Sequence, residues 1–285
     1  MKLCVSFSGG KTSAFMARWC QQNAHRHGFT EVRYVFANTG QEHEKTLEFV
    51  DRCDREWGLG VVWLEAVVHH GERKGSTHRV VSFEAASRDG EPFEEVIRKY
   101  GIPNEGLKFT CTRELKLNAM RSYKASIGWA DCYSAVGIRA DEIDRMQPDA
   151  REKRVLYPLV SMVPMDRAAV DRFWARQEFT LEIPPLMGNC VTCWKKSDRK
   201  LFTIAKHEPW RFDWNRRMEA KYGTARSDLH HSGEPTTFFR GSRSADDIIA
   251  RSRQPFEEWR EEEQYDLLAE MDTPNGCSES CEVTW

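Results

Sequence analysis

Two stretches of this chain carry residue types whose spacing suits chemistry. The first is Ser8-Gly9-Gly10-Lys11-Thr12-Ser13. Its glycines let backbone amides approach an anion. Those amides, the dipole of a following helix, the Lys11 ammonium and the hydroxyls of Ser8, Thr12 and Ser13 together form a set of donors for phosphate oxygens. The string lacks the first glycine and the spacing of a Walker loop, which disfavours a kinase-type site; an ordinary turn is the plain alternative. The second stretch is Cys190-Val191-Thr192-Cys193, set between Gly188 and the pair Lys195-Lys196. A Cys-x-x-Cys lets two thiolates meet one metal or cluster, and neighbouring cations favour the thiolate form. A structural zinc site and reduced thiols without metal compete with that reading.

The elements that must position these residues are legible around them. Residues 3–7 are apolar and β-prone, and Ala14, Phe15, Met16, Ala17 and Trp19 after the loop suit a buried helix, which gives strand, glycine turn, helix. Further strands are expected at 32–37, 61–68 and 132–138, with an apolar segment at 155–159. Helices are expected at about 43–57 and 166–177. Such alternation implies parallel strands joined by crossovers. The expected fold is therefore α/β, a mostly parallel five-stranded sheet sandwiched by helices, with a helical carboxy-terminal subdomain. The expected division is 1–205 for the α/β unit and 206–285 for the helical one. A polar insertion at about 69–108 holds one helical pattern, 92–100, and has the length of a lid or binding loop.

Side chains that follow parallel strands emerge where ligands bind in open α/β folds. After the fourth strand come Gly137, Arg139, Asp141 and Glu142. Arg139 would neutralise a phosphate and Asp141 or Glu142 would hold magnesium, against the alternative of a salt-bridged helix cap. Asn38, Thr39 and Glu42 after the second strand suit adenosine or magnesium contacts, or simple capping. Trp194, Trp210 and Trp214 lie among cations and could stack bases, though helical spacing favours a core role.

Composition narrows the classes. With 285 residues, 40% hydrophobic and 30% charged, the chain is neither disordered nor a helical membrane protein, and no apolar run suits a spanning helix. Nine cysteines cannot all pair, and in a reducing compartment close spacing points to metal or redox chemistry. The amino terminus enters a strand directly, so a cytoplasmic location is expected. Net charge is -2, giving no global attraction to nucleic acid. The charge is uneven, with nine basic against four acidic residues at 195–221 and one against ten at 257–282.

Val5-Ser6-Phe7-Ser8-Gly9-Gly10-Lys11-Thr12-Ser13 resembles the pyrophosphate loop of the adenine nucleotide alpha hydrolase superfamily and, within it, the phosphoadenosine phosphosulfate reductase family. The similarity continues at 36–42, 111–116, 136–142 and 188–196, and spans about 3–205. The intact Ser-Gly-Gly-Lys-Thr-Ser form is similar to members that split ATP into AMP and pyrophosphate. Sulfonucleotide reductases usually depart from it and carry a carboxy-terminal Glu-Cys-Gly motif, which is missing here. Cys111, 79 positions before Cys190, resembles the arrangement in iron-sulfur sulfonucleotide reductases. The resemblance thus implies a 4Fe-4S cluster on Cys111, Cys190 and Cys193, its open iron met by Cys132, Cys277, Cys281 or a substrate sulfur.

The expected activity uses ATP and Mg2+, with Lys11 and Arg139 in the reaction. A substrate oxygen is adenylated, and sulfur from a cysteine persulfide or the cluster then displaces AMP. Cys277 and Cys281 in the tail are expected to handle sulfur. The acceptor would be a nucleic acid or a small molecule, the donor a sulfur-carrying protein, and a homo-oligomer is compatible. Two alternatives stand: a thiol-dependent sulfonucleotide reductase releasing sulfite, and a nucleotide-binding subunit without turnover.

Overall fold

The apolar run at the amino terminus forms the middle of a sheet. The computed structural model describes residues 1–71, 74–105, 110–224 and 236–260; Cys277 and Cys281 lie outside them. Strand β1 (Lys2–Ser6) pairs in parallel with β2 (Glu31–Asn38) on one side and β5 (Tyr133–Ala135) on the other. Strand β3 (Val61–Val67) extends the sheet beyond β2, and β6 (Val155–Leu156) extends it beyond β5, both in parallel. Six strands form the sheet where five were expected, because β4 (Thr77–Val81) of the insertion adds an antiparallel edge to β3. Its Thr-His-Arg-Val-Val sequence carries no alternation that marks a strand.

Beside its ladder to β3, β4 is held by one carboxylate. Glu65 of β3 is fully buried. It accepts from Arg79 Nη2 of β4 at 2.6 Å, from the Ser87 amide at 2.6 Å and from Asn38 Nδ2 of β2 at 2.8 Å. A buried carboxylate is tolerated only with such partners, so Glu65 ties the insertion to the sheet.

Strand alternation divides the core between two faces. Leu3 and Val5 face helices α1 (Lys11–Asn23) and α2 (Glu44–Trp57), whereas Cys4 joins Val35, Leu64, Met120 and Tyr123 on the other side. Helix α3 (Glu91–Tyr100) lies in the insertion, and α4 (Ala119–Ser126) covers the second face. After β6 come the short α5 (Pro158–Ser161) and α6 (Arg167–Trp174); Trp174 packs with Phe49 and Trp57 of α2. Helices α7 (Asp198–His207), α8 (Asp213–Tyr222) and α9 (Ala245–Ser252) share a second core with α3, through Phe93, Ile97, Leu201, Trp214 and Ile248. This core crosses position 205.

Trp194 and Trp214 are buried in the second core, and only Trp210 of the three is exposed. Lys206, Arg216 and Lys221 of the basic stretch pair with Glu258, Asp246 and Glu94. Such pairing makes a neutralised surface rather than an open basic face. No helix among the described residues is long and apolar enough to cross a membrane.

Candidate functional site

Gly9 follows β1 with φ +86°, and a Cβ there would sit 2.6 Å from Thr46 Cγ2 and 3.3 Å from the Phe36 ring. Only glycine fits that conformation in that space. Gly10 is the N-cap of α1 and offers no side-chain cap, so the first amides of α1 are left to point at whatever binds above them. The loop is braced from within: Ser13 Oγ donates to the Gly10 carbonyl at 3.0 Å and accepts from the Ser8 amide at 3.1 Å. It is braced from outside by Trp174, whose indole donates to the Lys11 carbonyl at 2.9 Å. The residues 8–13 line a cavity of about 370 Å³ together with Thr46, Arg139, Arg167, Asp171 and Asn189. That is within the range of small-molecule sites.

Arg139 lies buried at the edge of this cavity, with Nη1 donating to Thr12 Oγ1 at 3.4 Å. Its Nε donates to Asp141 at 3.0 Å, and Glu142 lies 3.4 Å from Nη2 and 2.7 Å from Arg145. Burial pushes the Asp141 carboxyl up, but the Arg139 guanidinium outweighs it and holds the group below its ordinary value. Asp141 and Glu142 thus pair with Arg139 and Arg145, and Glu142 also caps the following turn, the pattern of a salt-bridged cap. Gly137 is buried just past β5 and does not line the cavity.

The β2–α2 connection forms the partition to a second cavity. Asn38 is buried, donates to Glu65 and the Ser87 carbonyl, and accepts from the Gly40 amide at 3.1 Å, which spends its capacity inside the protein. Glu42 accepts from the Thr39 amide at 3.0 Å and from its hydroxyl at 2.8 Å. Thr39 Oγ1 lies 3.5 Å from Cys190 Sγ, and the Val191 amide donates to the Gln41 carbonyl at 3.3 Å.

That second cavity, about 30 Å³, is lined by Cys111, Cys190 and Cys193 with Thr39, Lys116 and Lys195. Cys111 caps a π-helical turn, Thr112–Asn118, that presents Leu115 and Lys116 to the cavity; such turns recur at functional sites. Lys196 instead donates to the Gly188 carbonyl at 2.7 Å and fixes the turn. The 188–193 segment is a shared wall: Gly188 and Asn189 face the first cavity, Cys190 and Cys193 the second. None of the seven described cysteines forms a disulfide. Among the described residues no three His, Cys, Asp or Glu side chains are gathered closely enough to hold a metal ion. A volume of about 30 Å³ admits about two waters. Cys132 lies at the start of β5, hydrogen-bonded to Cys4 in the core, and does not line the cavity.

Sequence reasoning missed Thr46, Arg167, Trp174 and Lys116. Each sits in a helical turn among ordinary polar or apolar neighbours, and only tertiary packing brings it to a cavity. It also missed the cap of α2, His43, whose Nδ1 accepts from the Lys45 amide at 3.1 Å. Burial and the nearby Arg211 guanidinium hold His43 below its ordinary value of 6.5. The neutral ring is thus favoured by folding, so its contribution is complete above that value and is lost as pH falls through the folded value. Thermal stability is expected to fall as pH drops below about 6.5, with a smaller slope in His43→Asn, which caps without titrating. An unchanged slope in that variant would assign the acid sensitivity elsewhere.

Comparison with known proteins adds to this geometry. A family model described as the phosphoadenosine phosphosulfate reductase domain matches residues 2–147. The chain is 30% identical over 285 residues to an uncharacterised nin region protein of Escherichia phage lambda, covering 98% of this chain and 94% of that protein. It is also 27% identical over 138 residues to an uncharacterised protein of Methanocaldococcus jannaschii, covering 48% of this chain and 23% of that one.

Proposed function

Because this chain belongs to the phosphoadenosine phosphosulfate reductase family, we propose that it is an enzyme of the ATP pyrophosphatase type, adenylating an acceptor oxygen and replacing it with sulfur. The observation that carries this reading is the shared wall 188–193, which sets a loop built for phosphate against a cavity lined by three cysteines. A nucleotide phosphate would lie on the α1 amides, with Lys11 and Arg139 drawing off charge as pyrophosphate leaves. Magnesium would travel on the nucleotide's own phosphates, with Asp141 and Glu142 beside Arg139 as carboxylates at the edge of the cavity. The acceptor oxygen attacks the α-phosphorus and pyrophosphate departs. A persulfide sulfur, supplied by a sulfur-donor protein, then attacks the activated carbon or phosphorus, AMP departs and the acceptor is left joined to the donor cysteine through an S–S bond. A second thiol attacks the donor sulfur, the thiolated acceptor leaves, and the resulting disulfide is reduced by an external thiol.

Cys111, Cys190 and Cys193 line one cavity with Lys116 and Lys195 and would be the donors of a cluster once drawn closer than they stand here. When bound, a 4Fe-4S group would supply an iron with a position open to sulfur. Cys277 and Cys281 are proposed to bring sulfur to that wall.

Calorimetry tests the nucleotide: Mg-ATP should bind more tightly than phosphoadenosine phosphosulfate. A sulfonucleotide preferred by tenfold, about 1.4 kcal/mol, would hand the site to the reductase reading. Lys11→Ala should weaken ATP binding by about tenfold or more, the value of a charge-assisted hydrogen bond, at an unchanged melting temperature. A large drop in that temperature would make Lys11 structural.

A further inference from the structure

Thr46 stands in the first turn of α2, is only 3% exposed, and lines the cavity of the Ser8–Ser13 loop. Its hydroxyl has no hydrogen-bond partner. A buried hydroxyl left unpaired costs stability, and valine would fill the same space without that cost. The α2 backbone does not explain it: the Thr46 amide donates to the His43 carbonyl at 2.8 Å and the Lys45 amide to His43 Nδ1. With those two amides spent on the cap, the hydroxyl is a side-chain donor that this turn can still offer the cavity.

The methyl of Thr46 shows where that donor can act. It rests on Gly9, where a Cβ would come within 2.6 Å of it. Helical threonine, unlike valine, divides between two χ1 rotamers. A 120° step about χ1 sets the hydroxyl where the methyl stood, over Gly9 in space the missing side chain leaves, and carries the methyl to the place of the Cβ hydrogen. An anion held by the α1 amides and Lys11 would then be met from across the loop.

We propose that Thr46 donates a hydrogen bond to the phosphate group held by the Ser8–Ser13 loop, a proposal that rests on reading that loop as a phosphate site. The ligand class is an inorganic or nucleotide polyphosphate, an acceptor-only anion that satisfies a donor the folded protein leaves without a partner. The residue accepts a loss of stability in return for affinity.

The test uses the full chain, inorganic pyrophosphate with Mg2+ as probe, calorimetry for affinity and thermal melting for stability. Thr46→Val should bind at least tenfold more weakly and yet melt at the same or a higher temperature. Thr46→Ser, which keeps the hydroxyl, should stay within threefold of wild type, and Thr46→Ala should weaken binding as valine does. Wild-type affinity in folded Thr46→Val or Thr46→Ala, with Lys11→Ala weakened, overturns the Thr46 role and leaves the loop reading intact. Failure of the wild-type chain to bind either pyrophosphate or ATP overturns both.

Discussion

Gly9→Ala is expected to bind no pyrophosphate and to melt well below the wild-type protein. The added Cβ meets Thr46 Cγ2 at 2.6 Å and Phe36 at 3.3 Å, and the residue must hold φ +86°, where an L side chain is strained. Overpacking and backbone strain each cost roughly 1–3 kcal/mol, so a combined loss of about 3 kcal/mol is reasonable. At this chain length that is a drop of about 5 °C. Gly10→Ala is the control, because nothing lies within 4 Å of a Cβ at that position. It should fold normally. A Gly9→Ala protein that melts like wild type would mean that the loop is not held against α2 as described.

Serine at Cys111, Cys190 or Cys193 is expected to remove most of the iron from anaerobically prepared protein, whichever of the three is changed. All three line one cavity, although they come from the start of a π-helical turn and from a separate 188–193 turn. Serine at Cys20 or Cys53 should leave iron intact. Those thiols are buried in α1 and α2, and burial pushes Cys20 up to about 12 and Cys53 higher still, as befits core residues without reactive thiolates. Equal iron loss in all five variants would argue against a defined site. Stoichiometric zinc with no iron would sink the cluster altogether.

The strand, glycine turn and helix at the amino terminus were legible because local chemistry decides them: an apolar run, two glycines and an amphipathic segment stand in order. The helix expected at about 43–57 is α2, Glu44–Trp57, and the pattern at 92–100 is α3, Glu91–Tyr100. Strand β4 was not legible, since Thr77–Val81 is a strand only through its pairing to β3 and the reach of Glu65. The same limit applies to the cavities. Lys11 and Arg139 follow strands and announced themselves, whereas Thr46 and Trp174 reach the loop from 33 and 163 positions beyond Ser13 and Lys11. For Asp141 and Glu142 the residue types suit two roles, and the ion pairs to Arg139 and Arg145 were not legible in their spacing.

The two ends of the sheet bear on how this chain behaves when crowded. At one end β6 is only Val155–Leu156 and runs into Pro158, which has no amide to donate. At the other, β4 is five residues long, carries Arg79 and is packed by α4 through the His78–Tyr123 ring contact. Neither rim offers a long flat row of unpaired amides and carbonyls to a neighbouring molecule. A sheet whose middle is strongly apolar thus has short, guarded rims that resist sideways growth into an aggregate.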